Sequence, residues 1–196
     1  MKEEKTEKNL EEQPFLMVVS DIFAVTGRGT VVIGRVKSGV VRRGDELEIV
    51  GKNKTIKTVA VQIEKFRQVL DEAKAGDNIG MQLREVKKED IARGQVLTTP
   101  GTAVAHTKFE AKCLIFAKKE GGIPLCNGER LQFGINDIAV TGQVKLPEGM
   151  KKASPGDAVD VTVELLYPLV VEEGTSFPIF KNVKKIATGI ISKILK

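Results

Sequence analysis

The feature that most constrains the fold is a pair of apolar runs on either side of a short glycine-rich segment. Residues 15–25 and 31–36 are dominated by Val, Ile and Phe, and they flank the segment TGRG at residues 26–29. Branched and aromatic side chains favour pleated strands, and the two glycines allow a tight reversal. We therefore predict a β-hairpin. Because both of its faces are largely apolar, it must be covered on both sides or wrapped into a closed barrel.

Strict alternation along the first strand of this hairpin assigns its side chains to two faces. One face carries Phe15, Met17, Val19, Asp21 and Phe23, and the other carries Leu16, Val18, Ser20 and Ile22. Asp21 interrupts an apolar face, and this leaves two interpretations open. Its carboxylate accepts backbone N–H groups at a strand end, or it lines a pocket.

Short alternating apolar runs recur along the rest of the chain, and turns rich in glycine and aspartate separate them. Gly-Asp pairs at 44–45, 76–77 and 156–157 each stand just before such a run. Glycine allows the positive φ of a turn, and aspartate can bond neighbouring backbone amides. These patterns predict an all-β protein made of two antiparallel β-barrels in tandem.

The predicted boundaries give a charged, disordered tail at residues 1–13, a first barrel at 14–101 and a second barrel at 102–196. The tail holds three lysines and five glutamates with one apolar anchor, Leu10, which is too little to build a core. Residues 70–74 are predicted to be a polar connection, and His106 is expected in the linker between the barrels.

Composition excludes several classes of protein. No apolar run approaches the ~18 residues that cross a membrane, and the charged start does not resemble a secretory signal. Cys113 and Cys126 are the only cysteines and His106 is the only histidine. We therefore expect a cytoplasmic protein with no disulfide framework, no metal and no cofactor. The net charge of +5 permits contact with nucleic acid without requiring it.

No motif for nucleotide hydrolysis is complete. The Gly51-Lys52 pair lacks the earlier glycine and the following hydroxyl of a phosphate-binding loop. Residues 77–80 formally match D-x-x-G, but such a tetrapeptide is common, and we interpret it as a turn that leads into a strand. A histidine-based triad would have to use His106. We therefore expect neither enzyme activity nor a bound nucleotide.

Three longer motifs are recognisable. They are VTGRGTVVIGRV at residues 25–36, EKFRQVLDEAKAGDNIG at 64–80 and RGQVLTTPGTAVAHTKFE at 93–110. Together they resemble the second and third domains of elongation factor Tu, densely to about residue 110 and more thinly from there to residue 196. In that family both domains are antiparallel β-barrels. The family's N-terminal GTPase domain has no counterpart in this sequence, which explains the missing phosphate loop.

The resemblance implies that the first barrel binds the aminoacylated 3′ end of transfer RNA. Glu64 matches the family's carboxylate on the terminal ribose hydroxyl, and Arg67 matches a basic residue beside the terminal nucleotides. The amino-acid pocket of the family is matched by Asp21, Phe23, Phe66 and Asn78. The chemistry fits, because a 2′-hydroxyl distinguishes RNA and an aromatic ring offers a stacking face. For Phe23 and Phe66, packing in the core is the alternative.

The chain departs from the family pattern in this pocket. Ser20 stands where the family has a glutamate, and Ile33 stands where it has a threonine. The resemblance therefore implies a pocket that is less acidic and more apolar than usual. The histidine that the GTPase domain contributes in the family has no counterpart here.

The second barrel departs further. Residues 121–126 and 136–138 lack the basic and hydroxyl side chains that the family uses against the transfer RNA stems. Tyr167 replaces a lysine of many members, although residues 180–185 bring three lysines. Fewer phosphate contacts would weaken RNA binding and flatten its dependence on salt.

Three functional hypotheses remain open. The first is non-catalytic binding of the aminoacylated 3′ end of transfer RNA or of a related RNA. The second is a protein-interaction module that uses the surface a GTPase domain would cover, and the third is a structural remnant of a longer elongation factor. The candidate partners are thus an RNA 3′ end and a protein, and no membrane is expected among them. We favour the first hypothesis.

Overall fold

The computed structural model describes residues 10–52 and 54–196, and it shows an all-β fold, as the sequence predicts. The chain divides between Val104 and Ala105 into two compact units. Most of the predicted tail, residues 1–9, lies outside the described residues. Just beyond it, the carbonyl oxygen of Leu10 accepts a hydrogen bond from the N–H of Gly39 at 2.8 Å.

Strands β1 to β9 and a 3-10 turn at Lys88–Asp90 build the first unit. The strands are β1 (Leu16–Val25), β2 (Gly29–Ser38), β3 (Val40–Arg42), β4 (Glu46–Val50), β5 (Ile56–Lys65), β6 (Gln68–Leu70), β7 (Glu72–Lys74), β8 (Asn78–Leu83) and β9 (Val96–Thr98). They pair in the order β4-β9-β1-β2-β8-β5, and β4 also pairs with β5, so the sheet closes into an antiparallel ring. Strand β6 extends the sheet beyond β5, and β3 pairs separately with β7.

Strand β1 changes face at Ser20, which corrects the predicted assignment of its side chains. Its pairing with β2 shifts between Val19 and Asp21, which is the mark of a β-bulge. Val19 points into the core, but beyond the bulge Ile22 takes the inward position. Asp21 and Phe23 therefore lie on the outside and do not share the face of Val19.

Two further predictions are wrong. Residues 70–74 are mostly strand and not a polar connection, because β6 ends at Leu70 and β7 pairs with β3. A strand of three residues with one buried side chain, Ala73, is too short to show an alternating pattern. His106 lies in the first strand of the second unit, half-buried and opposite Leu169, and not in a linker.

Strands β10 to β17 and a 3-10 turn at Lys118–Glu120 build the second unit. The strands are β10 (Ala105–Ile115), β11 (Leu125–Cys126), β12 (Arg130–Ile135), β13 (Ile138–Lys145), β14 (Lys152–Ala153), β15 (Ala158–Val170), β16 (Ser176–Lys181) and β17 (Lys184–Ile194). Six of them form a closed barrel in the order β10-β15-β13-β12-β16-β17. In its core the ring of Phe177 lies 5.6 Å from that of Phe109 and 6.0 Å from that of Phe133.

The cysteines of the second unit are both free thiols. Burial raises the pKa of Cys113 to about 12, so this thiol stays protonated and unreactive at neutral pH. Among the described residues, no group of three or more His, Cys, Asp or Glu side chains is placed to hold a metal ion. None of the helical segments in this described part is long and apolar enough to cross a membrane.

Gly34 on β2 and Gly80 on β8 provide a test of the packing of the ring. A Cβ atom at Gly34 would lie 2.0 Å from the carbonyl oxygen of Val18, whereas one at Gly80 would have its nearest contact at 3.8 Å. We expect Gly34→Ala to lower the free energy of unfolding by about 2 to 3 kcal/mol, because the added methyl group would overlap the Val18 carbonyl and force β1 away from β2. Gly80→Ala should change it by less than about 1 kcal/mol. Urea denaturation measures both, and equal effects would contradict this packing.

Asp77, in the turn before β8, is held as a carboxylate. Its Oδ1 lies 2.6 Å from the Lys65 ammonium, and its Oδ2 accepts the backbone N–H of Lys74 at 3.0 Å. Partial burial acts to raise the pKa of Asp77, but these hydrogen bonds outweigh it and lower the pKa below its usual value. The carboxylate therefore contributes stability above the unfolded pKa of ~4, and this stability is lost as the pH falls through the lower folded pKa.

We expect Asp77→Asn to lower the free energy of unfolding at pH 7 by about 1 kcal/mol, a value limited by solvent screening. At pH 2 the loss should shrink, because the stability that the Asp77 carboxylate contributes decreases as the pH falls below the unfolded pKa. Asp71→Asn is the matched control, since that carboxylate is 98% exposed and 3.7 Å from Arg43. Urea denaturation at both pH values measures the effect. A loss for Asp77→Asn that is equal at pH 2 and pH 7 would show that the charge is not its cause.

Candidate functional site

A row of residues crosses four strands of the first unit and contains two of the predicted site residues. Asp21 on β1 is opposite Ile33 on β2. Ile33 is in turn opposite Gly80 on β8, which is opposite Glu64 on β5. Neighbouring strands are ~4.8 Å apart, so the row spans roughly 15 Å. We call these four residues the Asp21–Glu64 row.

The Asp21–Glu64 row lies on the outer face of the ring. Each member has a neighbour along its strand that is buried in the core, and these neighbours are Ile22, Val32, Ile79 and Ile63. Because side chains alternate between the two faces of a strand, the members of the row point away from the core. For Asp21 this orientation depends on the bulge at Ser20. The row is therefore open to a ligand.

Asp21, at one end of the row, is already paired. Its Oδ1 accepts the backbone N–H of Ile22 at 2.9 Å and a guanidinium N–H of Arg93 at 2.7 Å. The hydrogen bond from Ile22, together with Arg93, lowers the pKa of Asp21 below its ordinary value. The carboxylate does accept a backbone N–H, as one interpretation predicts, but it does so at the bulge inside β1 and not at a strand end. Its role in a pocket stays a prediction.

Glu64, at the other end, is held by two side chains. Its Oε1 accepts hydrogen bonds from Arg28 at 2.8 Å and from Gln62 at 2.5 Å. The turn that carries Arg28 is tied to β8, because Gln82 Nε2 donates to the Arg28 carbonyl oxygen at 2.6 Å. Within the described chain no group donates to Oε2 of Glu64, and the side chain is 34% exposed. One oxygen of an oriented carboxylate is thus available as an acceptor.

Phe66 and Arg67 form the tip of the hairpin that joins β5 to β6, directly beyond Glu64. Their φ angles are 51° and 65°, as a tight two-residue hairpin turn requires and as is unusual for bulky residues. Phe66 is 89% exposed, and Lys65 Nζ lies 5.8 Å from the centre of its ring. The hairpin therefore presents an aromatic face and positive charge to solvent.

Asn78 lies on the same outer face, at the start of β8 and opposite Arg35. Its side chain is exposed. The ion pair between Asp77 and Lys65 ties this end of β8 to the hairpin of Phe66. Asn78 is therefore close in sequence and on the same face as Gly80, but it flanks the Asp21–Glu64 row and is not part of it.

Apolar side chains extend the row along β1 and β2. Phe23 is 42% exposed, Ile33 is 41% exposed and Val25 is 38% exposed, and Phe23 is opposite Val31. Packing in the core, the alternative considered for Phe23 and Phe66, is therefore wrong for both. Contiguous exposed apolar side chains are typical of a binding surface.

Four residues of this surface were missed by sequence reasoning. They are Arg28, Gln62, Gly80 and Arg93. Arg28 stands between two glycines in the predicted turn, and Gly80 is the last residue of a common tetrapeptide. Arg28, Gly80 and Arg93 act through neighbours that are far away in sequence, for which the sequence by itself gives no signal. Gln62 lies two residues from Glu64 on the same strand, and the sequence does not signal that their side chains are hydrogen-bonded.

In the second unit, residues at the positions of altered family contacts are engaged within the barrel. Asn136 Nδ2 donates to the carbonyl oxygen of Val170 at 2.9 Å. Tyr167 is half-buried against the core, and this burial raises the pKa of its hydroxyl. Lys181 forms an ion pair with Glu129. These side chains therefore have structural partners within the second unit.

Comparison with known families identifies both units. Residues 29–98 match the model of elongation factor Tu domain 2, and residues 102–195 match that of the elongation factor Tu C-terminal domain. The fold and the matches define a translation-factor module of two β domains. The chain belongs to the elongation factor Tu family, and its matches are to domains 2 and 3. The resemblance seen in the sequence motifs is thus confirmed.

The contact between Asp21 and Arg93 can be tested directly. We expect Arg93→Gln to raise the pKa of Asp21, because one of the hydrogen bonds that favour its ionised form is lost while that from Ile22 remains. A carboxyl-detected NMR titration measures this pKa. Arg28→Gln is the control, since its guanidinium contacts Glu64 instead. An Asp21 pKa that does not respond to Arg93→Gln would show that the ion pair is not formed in solution.

Proposed function

We propose that this chain binds the aminoacylated 3′ end of transfer RNA, or a related RNA end, without catalysing a reaction. One observation supports this most strongly. The Glu64 carboxylate is oriented by Arg28 and Gln62 on a solvent-facing row, and its Oε2 is available as an acceptor. A ribose hydroxyl is a donor that fits such an acceptor.

The groups around Glu64 suit the other parts of a nucleotide. Phe66 offers an exposed ring for stacking, which contributes ~1–3 kcal/mol per base. Arg67 carries a guanidinium suited to a phosphate. Val69, opposite Glu64 on β6, is 53% exposed and adds apolar surface on the same side. The hairpin side of Glu64 is therefore where we place the terminal nucleotide.

Membership of the elongation factor Tu family supports a role in translation, since the family's second domain holds the charged end of transfer RNA. The proposed role requires acceptors, donors and apolar contacts that orient a ligand. It assigns no side chain of the row to bond making or bond breaking.

Binding of transfer RNA by the full chain tests this proposal. Fluorescence anisotropy at low salt should show tighter binding of aminoacylated than of uncharged transfer RNA. Glu64→Gln should weaken binding about tenfold, because a hydrogen bond to a charged acceptor is lost. Arg67→Gln should reduce the slope of log K against log salt by ~0.7, the value for one phosphate contact on a single strand.

Two substitutions of the same kind on the second unit serve as controls. Glu164→Gln removes an exposed carboxylate that pairs with Lys145, and Arg130→Gln removes an exposed guanidinium. Neither should change the preference for charged transfer RNA. Equal binding of charged and uncharged transfer RNA, independent of Glu64 and Arg67, would overturn the proposal and favour a protein partner for this surface.

A further inference from the structure

The Asp21–Glu64 row changes in polarity from strand to strand. On β5 the row is polar, because Glu64 is hydrogen-bonded to Gln62, two positions away on the same strand. On β2 it is apolar, with Ile33 exposed and Val31 two positions away on the same face. Between them, on β8, Gly80 has no side chain. The row therefore has one polar wall and one apolar wall with a gap between them.

The gap at Gly80 is open space and not a site of tight backbone packing. A Cβ atom placed there would meet only Cγ1 of Val31, at 3.8 Å. Gly80 pairs with Ile33 on one side and with Glu64 on the other, and the two walls stand two strand spacings apart, roughly 10 Å. We call this space the Gly80 notch.

The charged residue beside the apolar wall, Asp21, already has a counter-ion. Asp21 is the carboxylate nearest to Ile33 in the row, and it is paired with Arg93 at 2.7 Å. Ser20, exposed at the bulge, brings no charge. Both carboxylates of the row are paired with arginines, so a charged group placed against Ile33 and Phe23 would lose water without gaining an unpaired counter-ion, which is unfavourable.

We propose, on the basis of the proposed function, that the Gly80 notch selects RNA 3′ ends whose esterified amino acid has an apolar side chain. The ribose hydroxyl of the terminal nucleotide bonds Glu64, and the ester places its acyl chain over Gly80. The chain then packs against Ile33 and Phe23. Burying apolar surface there favours amino acids with aliphatic and aromatic side chains over those with charged side chains.

The experiment compares one RNA body that carries different amino acids. Transfer RNA acceptor minihelices esterified with leucine, valine, lysine or aspartate are titrated against the full chain by fluorescence anisotropy. We expect the leucyl and valyl esters to bind about tenfold more tightly than the lysyl and aspartyl esters. Ile33→Thr should reduce this ratio to about threefold or less, since Thr keeps the branched shape but makes the wall polar.

Two further variants separate the notch from general effects. Gly80→Val fills the notch and should weaken all four esters about tenfold or more, while circular dichroism and urea denaturation verify that the chain is folded. Leu166→Thr on β15, where the side chain is 74% exposed, should leave the ratio unchanged.

The outcomes distinguish this inference from the proposed function. Tight binding of all four esters with equal affinity would overturn the selectivity and leave the proposed function intact. A tenfold ratio that Ile33→Thr does not alter would overturn the assignment of the apolar wall. Failure of the wild-type chain to bind any ester would overturn both.

Discussion

The bulge at Ser20 is the constraint on which the surface of the first unit depends. Without it, strict alternation would place Asp21 and Phe23 on the same face as Val19, in the core of the ring. One extra residue in β1 reverses the alternation, so Ile22 fills the core while a carboxylate and an aromatic ring lie outside. A buried carboxylate at this position would have had to leave water, and the bulge removes that cost.

Closure of the sheet into a ring determines which residues are neighbours on its outer face. Pairing of β1, β2, β8 and β5 places residues from four separate stretches of sequence in one line, and the β4–β5 pairing fixes the ends of the sheet. Gly34 and Gly80 lie in opposite packing environments, one tightly packed and one open. Gly34 is required because β1 and β2 pack closely there, whereas Gly80 leaves an open notch beside Glu64. The fold and the surface thus depend on the same register.

The fold was largely predictable, and the site was predictable in part. Val- and Ile-rich alternation gave the strands, but β7 was missed because three residues carry too short a pattern. The family resemblance names six site residues, and their binding roles stay predictions: Asp21, Phe23, Glu64, Phe66, Arg67 and Asn78. Arg28, Gly80 and Arg93 could not be found, because hydrogen bonds and gaps between separate segments depend on which residues become neighbours. Gln62 could not be found because the hydrogen bond to Glu64 on the same strand depends on side-chain conformations that the sequence does not specify.

The sequence by itself determined the all-β class, the antiparallel hairpins and membership of the elongation factor Tu family. Local propensity and long motifs carry that information, since each is a property of consecutive residues. Tertiary structure alone decided the register, the bulge and the row from Asp21 to Glu64. A shift of one residue in strand pairing exchanges the buried and exposed faces, and the sequence of a single strand does not specify which partner residue stands opposite.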